Sequence, residues 1–388
     1  MAMIELNTVL PNLIAGLTKS SIAFGGLYSI MLGAPLIFNL LFSHYLKRFE
    51  LKKKFLLFGI YLRGFSFLGM SVTVFLFAKS NPLGTLIAFY FLIMIFSLSG
   101  GFAGIAYSDI IGKLLPSEKR PGLYAARQIV SGTASLIGGA LIVRIFAPSS
   151  LEYPLNYALG MMIGFLGLVI GAIGFWFMKE PPSEISNAGE KNNGMIGNTI
   201  NILKEDKPFR KFIIIENITS FSLMILPFYM VYVKHTFSDY KDFFGAYVMV
   251  QILGNILSNF MWTSISKKHG TETVLKICIL IGAAIPLIAI ALNPLGAMWY
   301  ILVFLLLGVI TSGRNIGFEP YLLDIAPGDK RTVYLGIRGS FNILVVLLPI
   351  AGGFFIDMMG YFAAFATVSG VMLLAFFLFQ TGVVKGGK

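Results

Sequence analysis

Arg63, Asp109, Arg127, Glu216, Arg314, Glu319, Asp324, Arg338 and Asp357 all fall inside long apolar runs of this chain. Charge in such surroundings is rare and expensive, so each is a functional candidate. Three kinds of chemistry follow from their types and spacing. The first is ion pairing. Asp109 and Arg127 lie at similar depth in successive apolar runs, and Glu319 or Asp324 stands in the same relation to Arg338. Breaking one partner of a desolvated pair costs on the order of 3–5 kcal/mol, so such a pair is a latch released in one state, a static contact near the lipid headgroups or a substrate contact. The second is proton carriage by Glu216 in FIIIENITSF, since a carboxylate in an apolar setting can hold a proton; the other reading is a partly hydrated carboxylate favoured by a helix start. The third is anion recognition. Arg314, beside Asn315, offers a planar fork that matches carboxylates and phosphates, with Glu216 as the alternative partner. Arg314 and Glu319 are five residues apart, about 140° around a helix, so they do not address one partner. Arg63 reads first as a structural or snorkelling arginine.

Neutral polar residues are spread through the same runs. Asn39, Tyr107, Gln128, Tyr229, Gln251, Asn255 and Asn259 supply donors and acceptors for a polar pathway. Gln251, Asn255 and Asn259 are spaced by four and share one helical face. Such a stripe faces protein or water and not lipid; it is either pathway lining or interhelical glue.

The elements that must carry these residues are membrane-spanning helices. The chain has 388 residues, 56% hydrophobic and only 12% charged, with mean hydropathy +0.81. Taking about 20 apolar residues per span, we read eleven complete spans at 22–44, 54–78, 83–112, 123–147, 155–178, 212–233, 243–264, 273–292, 297–325, 333–356 and 360–381. Alternate connectors and the tail hold 21 of the 30 basic residues, in blocks such as KRFELKKK. By the positive-inside rule these connectors, with the C-terminus, are cytoplasmic. The expected location is a cell membrane, plasma or inner. The stretch 179–211, rich in Pro, Asn and Lys, divides an N-terminal bundle (1–178) from a C-terminal bundle (212–388).

The same residues argue against several functions. The net charge of +12 lies in short blocks between spans, which suits anionic lipid better than nucleic acid. There is one cysteine, Cys278, and the three histidines (His44, His235, His269) lie in or beside connectors, so neither a metal site nor a cofactor is expected. No glycine-rich nucleotide loop is present. An enzyme would need a compact reacting cluster, whereas the acids here are scattered. The first residues lack the basic and small-residue pattern of a cleaved leader.

Two internal repeats organise the whole. PSEKRPGLYAAR at 116–127 returns as PGDKRTVYLGIR at 327–338, an offset of 211, and residues 23–48 align with 243–268 at an offset of 220. Carried backwards, the second register sets residues 3–17 against the end of the 212–233 run, so a partial first helix precedes the eleven spans. The expected fold is all-α, with two pseudo-symmetric six-helix bundles. In this arrangement Ser108–Gly139 and Tyr321–Gly353 resemble the helix 4 to 5 and helix 10 to 11 connections of the major facilitator superfamily of secondary transporters. The resemblance implies a monomeric carrier in the lipid bilayer that moves a small molecule by alternating access, without cofactor and with proton coupling open. It also implies that the helix carrying Arg314 and Asn315 lines the cavity. The rival reading is a non-transporting receptor or scaffold on the same fold.

Overall fold

A computed structural model describes residues 7–46, 49–114, 120–147, 149–182, 202–326, 331–342 and 344–380, and among these every regular element is helical. The first half contains α1 (Val9–Leu17), α2 (Ser21–Leu46), α3 (Lys53–Phe77), α4 (Pro82–Leu114), α5 (Arg120–Ile145) and α6 (Leu155–Trp176). The second contains α7 (Lys207–Thr219), α8 (Ser222–Ile225), α9 (Phe228–Thr236), α10 (Tyr240–His269), α11 (Thr271–Ala291), α12 (Ile301–Ile325), α13 (Arg331–Asn342) and α14 (Leu348–Gln380). Among the described residues eight segments are long and apolar enough to cross a bilayer, and Ser21–Pro35 and Val130–Ile145 are shorter apolar helices. Large side chains such as Phe65, Phe91, Phe260 and Phe362 stand exposed along these segments, as expected where hydrocarbon is the solvent.

Local chemistry explains where the helices stop. Gly270, Gly296 and Gly360 hold positive φ values of 82°, 94° and 80°, a region open to glycine without steric cost. Gly360 lies inside α14, so this element is two helices meeting at a sharp bend, one on either side of Gly360. The span expected at 212–233 is interrupted twice, into α7, α8 and α9. Pro227 supplies no amide at the second interruption. At the first, hydroxyls compete for backbone carbonyls: Thr219 and Ser220 donate to the Glu216 carbonyl at 3.0 and 2.7 Å, and Ser222 donates to that of Thr219 at 2.8 Å.

The chain folds as two compact units, Met1–Ala188 and Gly189–Lys388. The repeat survives into their elements. Helix α9 follows α1 at an offset of 219 at both ends, α10 starts 219 residues after α2, and α13 starts 211 after α5. In the first unit α3 is central, packing on α4 and α6. Phe67 meets Phe96 edge-on and Gly164 leaves room for its ring, and Ser71 donates to the Ala158 carbonyl at 2.7 Å. Farther along α6, Gly167, Gly171 and Gly174 face open space.

In the second unit the closest approach is between α10 and α12. A side chain on Gly308 would overlap the Gln251 carbonyl oxygen and crowd the Asn255 amide, and one on Gly254 would lie 2.5 Å from the Leu305 carbonyl oxygen. Trp262 Nε1 donates to the Val309 carbonyl at 3.0 Å across the same contact. Backbone cannot rotate aside as a side chain can, so Gly308→Ala is expected to destabilise the protein by about 1–3 kcal/mol. The measurement is the thermal midpoint in detergent; an unchanged midpoint would show that α10 and α12 can part without loss.

Candidate functional site

Charged residues gather at one end of the first unit. Glu180, just beyond α6, folds back on the start of α3: its oxygens accept from the Lys52 amide at 2.9 and 2.8 Å and the Lys53 amide at 2.7 Å. The Lys113 ammonium, at the end of α4, lies 2.7 Å from Glu180 and 2.9 Å from Asp109. Lys52 reaches Asp109 at 2.6 Å, and Lys53 donates to the Trp176 and Met178 carbonyls. The acid therefore does for α3 what an N-cap does, serving orphan amides at a helix start where negative charge is favoured. The tie binds Glu180, just beyond residue 178, to the helices of the first unit.

The expected pair of Asp109 with Arg127 does not form in this structure. Asp109 takes two lysines, one of them four residues along its own helix, where side chains meet without any tertiary requirement. The exposed Arg127 guanidinium instead lies 5.1 Å from the centroid of the Tyr107 ring, whose edge contacts Phe175 at 6.1 Å. Arg63 is stacked over Phe96 at 4.1 Å and lies against Gly100, a contact internal to the unit.

The second unit holds a desolvated pair of its own. Glu216 is 3% exposed, near the end of α7. The Arg338 fork on α13 grips it: Nε donates at 2.8 and 3.0 Å and Nη2 at 2.6 Å. Glu319 on α12 is the weaker partner, its 62%-exposed side chain 3.7 Å from Arg338. The other acid considered for Arg338, Asp324, accepts instead from the Thr271 hydroxyl at 2.7 Å, because it lies where α12 runs beside the start of α11.

With Glu216 taken by Arg338, Arg314 donates to neutral oxygens. Its Nη1 reaches the Thr219 carbonyl at 3.5 Å and its Nη2 the Ser220 hydroxyl at 3.4 Å, and its Cζ lies over the Phe318 ring, 4.6 Å from the centroid. Asn315 beside it is exposed. The guanidinium thus lies against the first interruption of α7–α9, where the carbonyl end of α7 favours a cation.

The polar stripe of α10 faces α12. Gln251 and Asn255 lie where Gly308 crosses, Asn259 donates to the Asn255 carbonyl at 2.8 Å, and Ser312 donates to Asn259 Oδ1 at 2.9 Å. Tyr229 is buried against Phe365. The side chains of Asn39 and Gln128 lie outside the described residues, as do residues 115–119 and 327–330 of the doubled connector. No group of three or more His, Cys, Asp or Glu that could hold a metal ion occurs among the described residues.

Sequence reasoning missed Glu180, which stands in a Pro-rich stretch that reads as linker. The one signal was its place just after an apolar run and directly before Pro181–Pro182. It also missed the interruption at 220, although the polar set Asn217, Thr219, Ser220 and Ser222 in an otherwise apolar segment marks it.

Residues 1–233 and 212–385 each match the Major Facilitator Superfamily. The chain belongs to that superfamily. As a member it is a multi-pass membrane protein and a secondary transporter of a small molecule, not an enzyme. Solved structures of the superfamily's fold agree over almost the full length. A point mutant of the nucleoside transporter NupG superposes with a TM-score of 0.67 at 15% identity, over 97% of this chain and 94% of that one. The xylose transporter XylE from E. coli, partially occluded and inward open, gives 0.64 at 14% identity over 99% and 93%. A bacterial homologue of the iron transporter ferroportin, inward-facing, gives 0.65 at 14% over 97% and 93%. No curated protein matches the chain in sequence.

Proposed function

We propose that this member of the superfamily works by alternating access in a cell membrane, with the basic connectors and the C-terminus on the cytoplasmic side, and that the Glu216–Arg338 contact is the part of the second unit that switches. The observation that carries the reading is the position of this pair. It joins α13, which follows the repeated basic connector, to the end of α7 beside an interrupted helix. In secondary transporters, interrupted helices are where binding sites form and where segments tilt. The exposed Glu319 carboxylate 3.7 Å from Arg338 supplies a second acid to which the arginine can transfer when Glu216 lets go. Protonation of Glu216 would release it, so proton coupling enters through this residue. The Asp109, Lys113 and Glu180 cluster is the corresponding contact in the first unit, with Arg127 on Tyr107 beside it. Tyr107, Asn315 and the face bearing Asn255 and Asn259 remain the proposed substrate pathway, together with Asn39, Gln128, Tyr229 and Gln251.

The test uses a reporter cysteine at the exposed Asn315, with the buried Cys278 replaced by serine. Labelling by an impermeant maleimide is compared in inside-out and right-side-out vesicles. The balance between the two sides is expected to shift several-fold when Glu216→Gln is added. Labelling and thermal stability that both stay unchanged would sink the switch.

A further inference from the structure

We infer that Arg314 is an anion-binding residue and that the transported molecule carries a carboxylate or phosphate group; this rests on the transporter reading above. Charges and donors around the interruption of α7–α9 do not balance. Two arginines, Arg314 and Arg338, meet there, and the buried carboxylate within reach is Glu216. Arg338 takes both Glu216 oxygens through three contacts of 2.6–3.0 Å. The other acids of this region are engaged elsewhere: Glu319 leans to Arg338, Asp324 accepts from Thr271, Asp206 accepts from the Phe209 amide and the Tyr334 hydroxyl, and Glu272 pairs with Lys276. Among the described residues no carboxylate pairs with Arg314.

Its two hydrogen bonds, at 3.5 and 3.4 Å, go to neutral oxygens and are longer than well-formed N–H···O bonds. A guanidinium has five N–H donors, so three of them meet no acceptor among the described residues. The group is nonetheless held in place, over the Phe318 ring and pointed by Thr219 and Ser220. A guanidinium that is fixed and under-satisfied, inside a spanning helix, fits a planar or tetrahedral oxyanion by its bidentate edge. Asn315, exposed on the next position of α12, adds a neutral donor for the remainder of the ligand. Glu216 and, at 3.7 Å, Glu319 both address Arg338, so a neutral ligand would leave the Arg314 guanidinium itself without a carboxylate or other anion in direct contact.

The experiment is thermal unfolding of the purified full-length protein with sodium phosphate or sodium succinate, each against sodium chloride at matched ionic strength, and with xylose and uridine as neutral probes. The expected result is saturable stabilisation by phosphate or succinate in the wild type, weakened at least tenfold in apparent affinity by Arg314→Gln. Arg314→Lys keeps the charge and loses the fork, so it should bind the same anion more weakly, and it carries the test should Arg314→Gln fail to fold. The inference is overturned if neither anion stabilises the wild type, if the stabilisation is equal in the Arg314 variants, or if xylose or uridine alone stabilises. The alternation of Asn315 labelling is read separately and without ligand, so failure of the anion site and failure of the transporter mechanism are distinguishable.

Discussion

Glu216→Gln is expected to lower the stability of the protein by about 3–5 kcal/mol, the cost of leaving one partner of a desolvated pair without its counter-charge. Glu216 and Arg338 have side chains only 4% and 18% exposed, and the Arg338 fork is left facing a neutral amide beside a second arginine, Arg314. The double variant Glu216→Gln with Arg338→Gln removes the stranded charge as well. It should therefore recover part of the loss, a non-additivity that identifies direct coupling between the two residues. Denaturant or thermal unfolding of the two single variants and the double variant measures it. A single variant within about 0.5 kcal/mol of wild type, the ordinary scatter of surface changes, would refute the pair as a stabilising contact. The same variant probes coupling: if Glu216 carries the proton, uptake into liposomes that responds to an imposed pH gradient in the wild type loses that response in Glu216→Gln.

Glu180→Ala should cost a similar amount, about 3–5 kcal/mol, and for a partly different reason. The Glu180 side chain is 2% exposed and serves two backbone amides, those of Lys52 and Lys53, and the Lys113 ammonium. Removing it strands the start of α3 and leaves Lys113 to Asp109 and the Glu50 carbonyl. Glu180→Gln keeps an acceptor oxygen for the amides and loses the charge, so it should fall between alanine and wild type. The measurement is again unfolding, combined with limited proteolysis of the 179–211 stretch. If Glu180→Ala unfolds like wild type and the stretch is cut no faster, Glu180 does not anchor the end of the first unit. Burial is the largest influence on Lys113 and acts to lower its pKa, yet the hydrogen bonds and charges of Glu180 and Asp109 together raise it above the ordinary lysine value. A raised lysine contributes its stability in full below the unfolded pKa and loses it only as pH rises through the folded one. This lysine's share of the tie is therefore constant across neutral pH and fades only in the alkaline range above ordinary lysine titration.

Several features were legible in the amino-acid order because they are local or additive. Long apolar runs make spans, since a backbone in hydrocarbon must satisfy its own hydrogen bonds. The doubled stretch ending in Arg127 and Arg338 showed the halving, and the elements reproduce it at the same offset, with α13 starting 211 residues after α5. The place of each charge along its own helix also followed, because rise per residue along a helix is constant. Only the tertiary structure decided which charges meet. Arg338 chose Glu216, from a helix more than a hundred residues away, over Asp324 in the preceding one. Asp109 took lysines instead of Arg127, and Glu180 came back from beyond α6 to hold α3. Arg314 was left with neutral oxygens for the same reason. Partner choice depends on how each helix is rotated about its own axis and which neighbours pack beside it, and spacing within one helix carries no information about either.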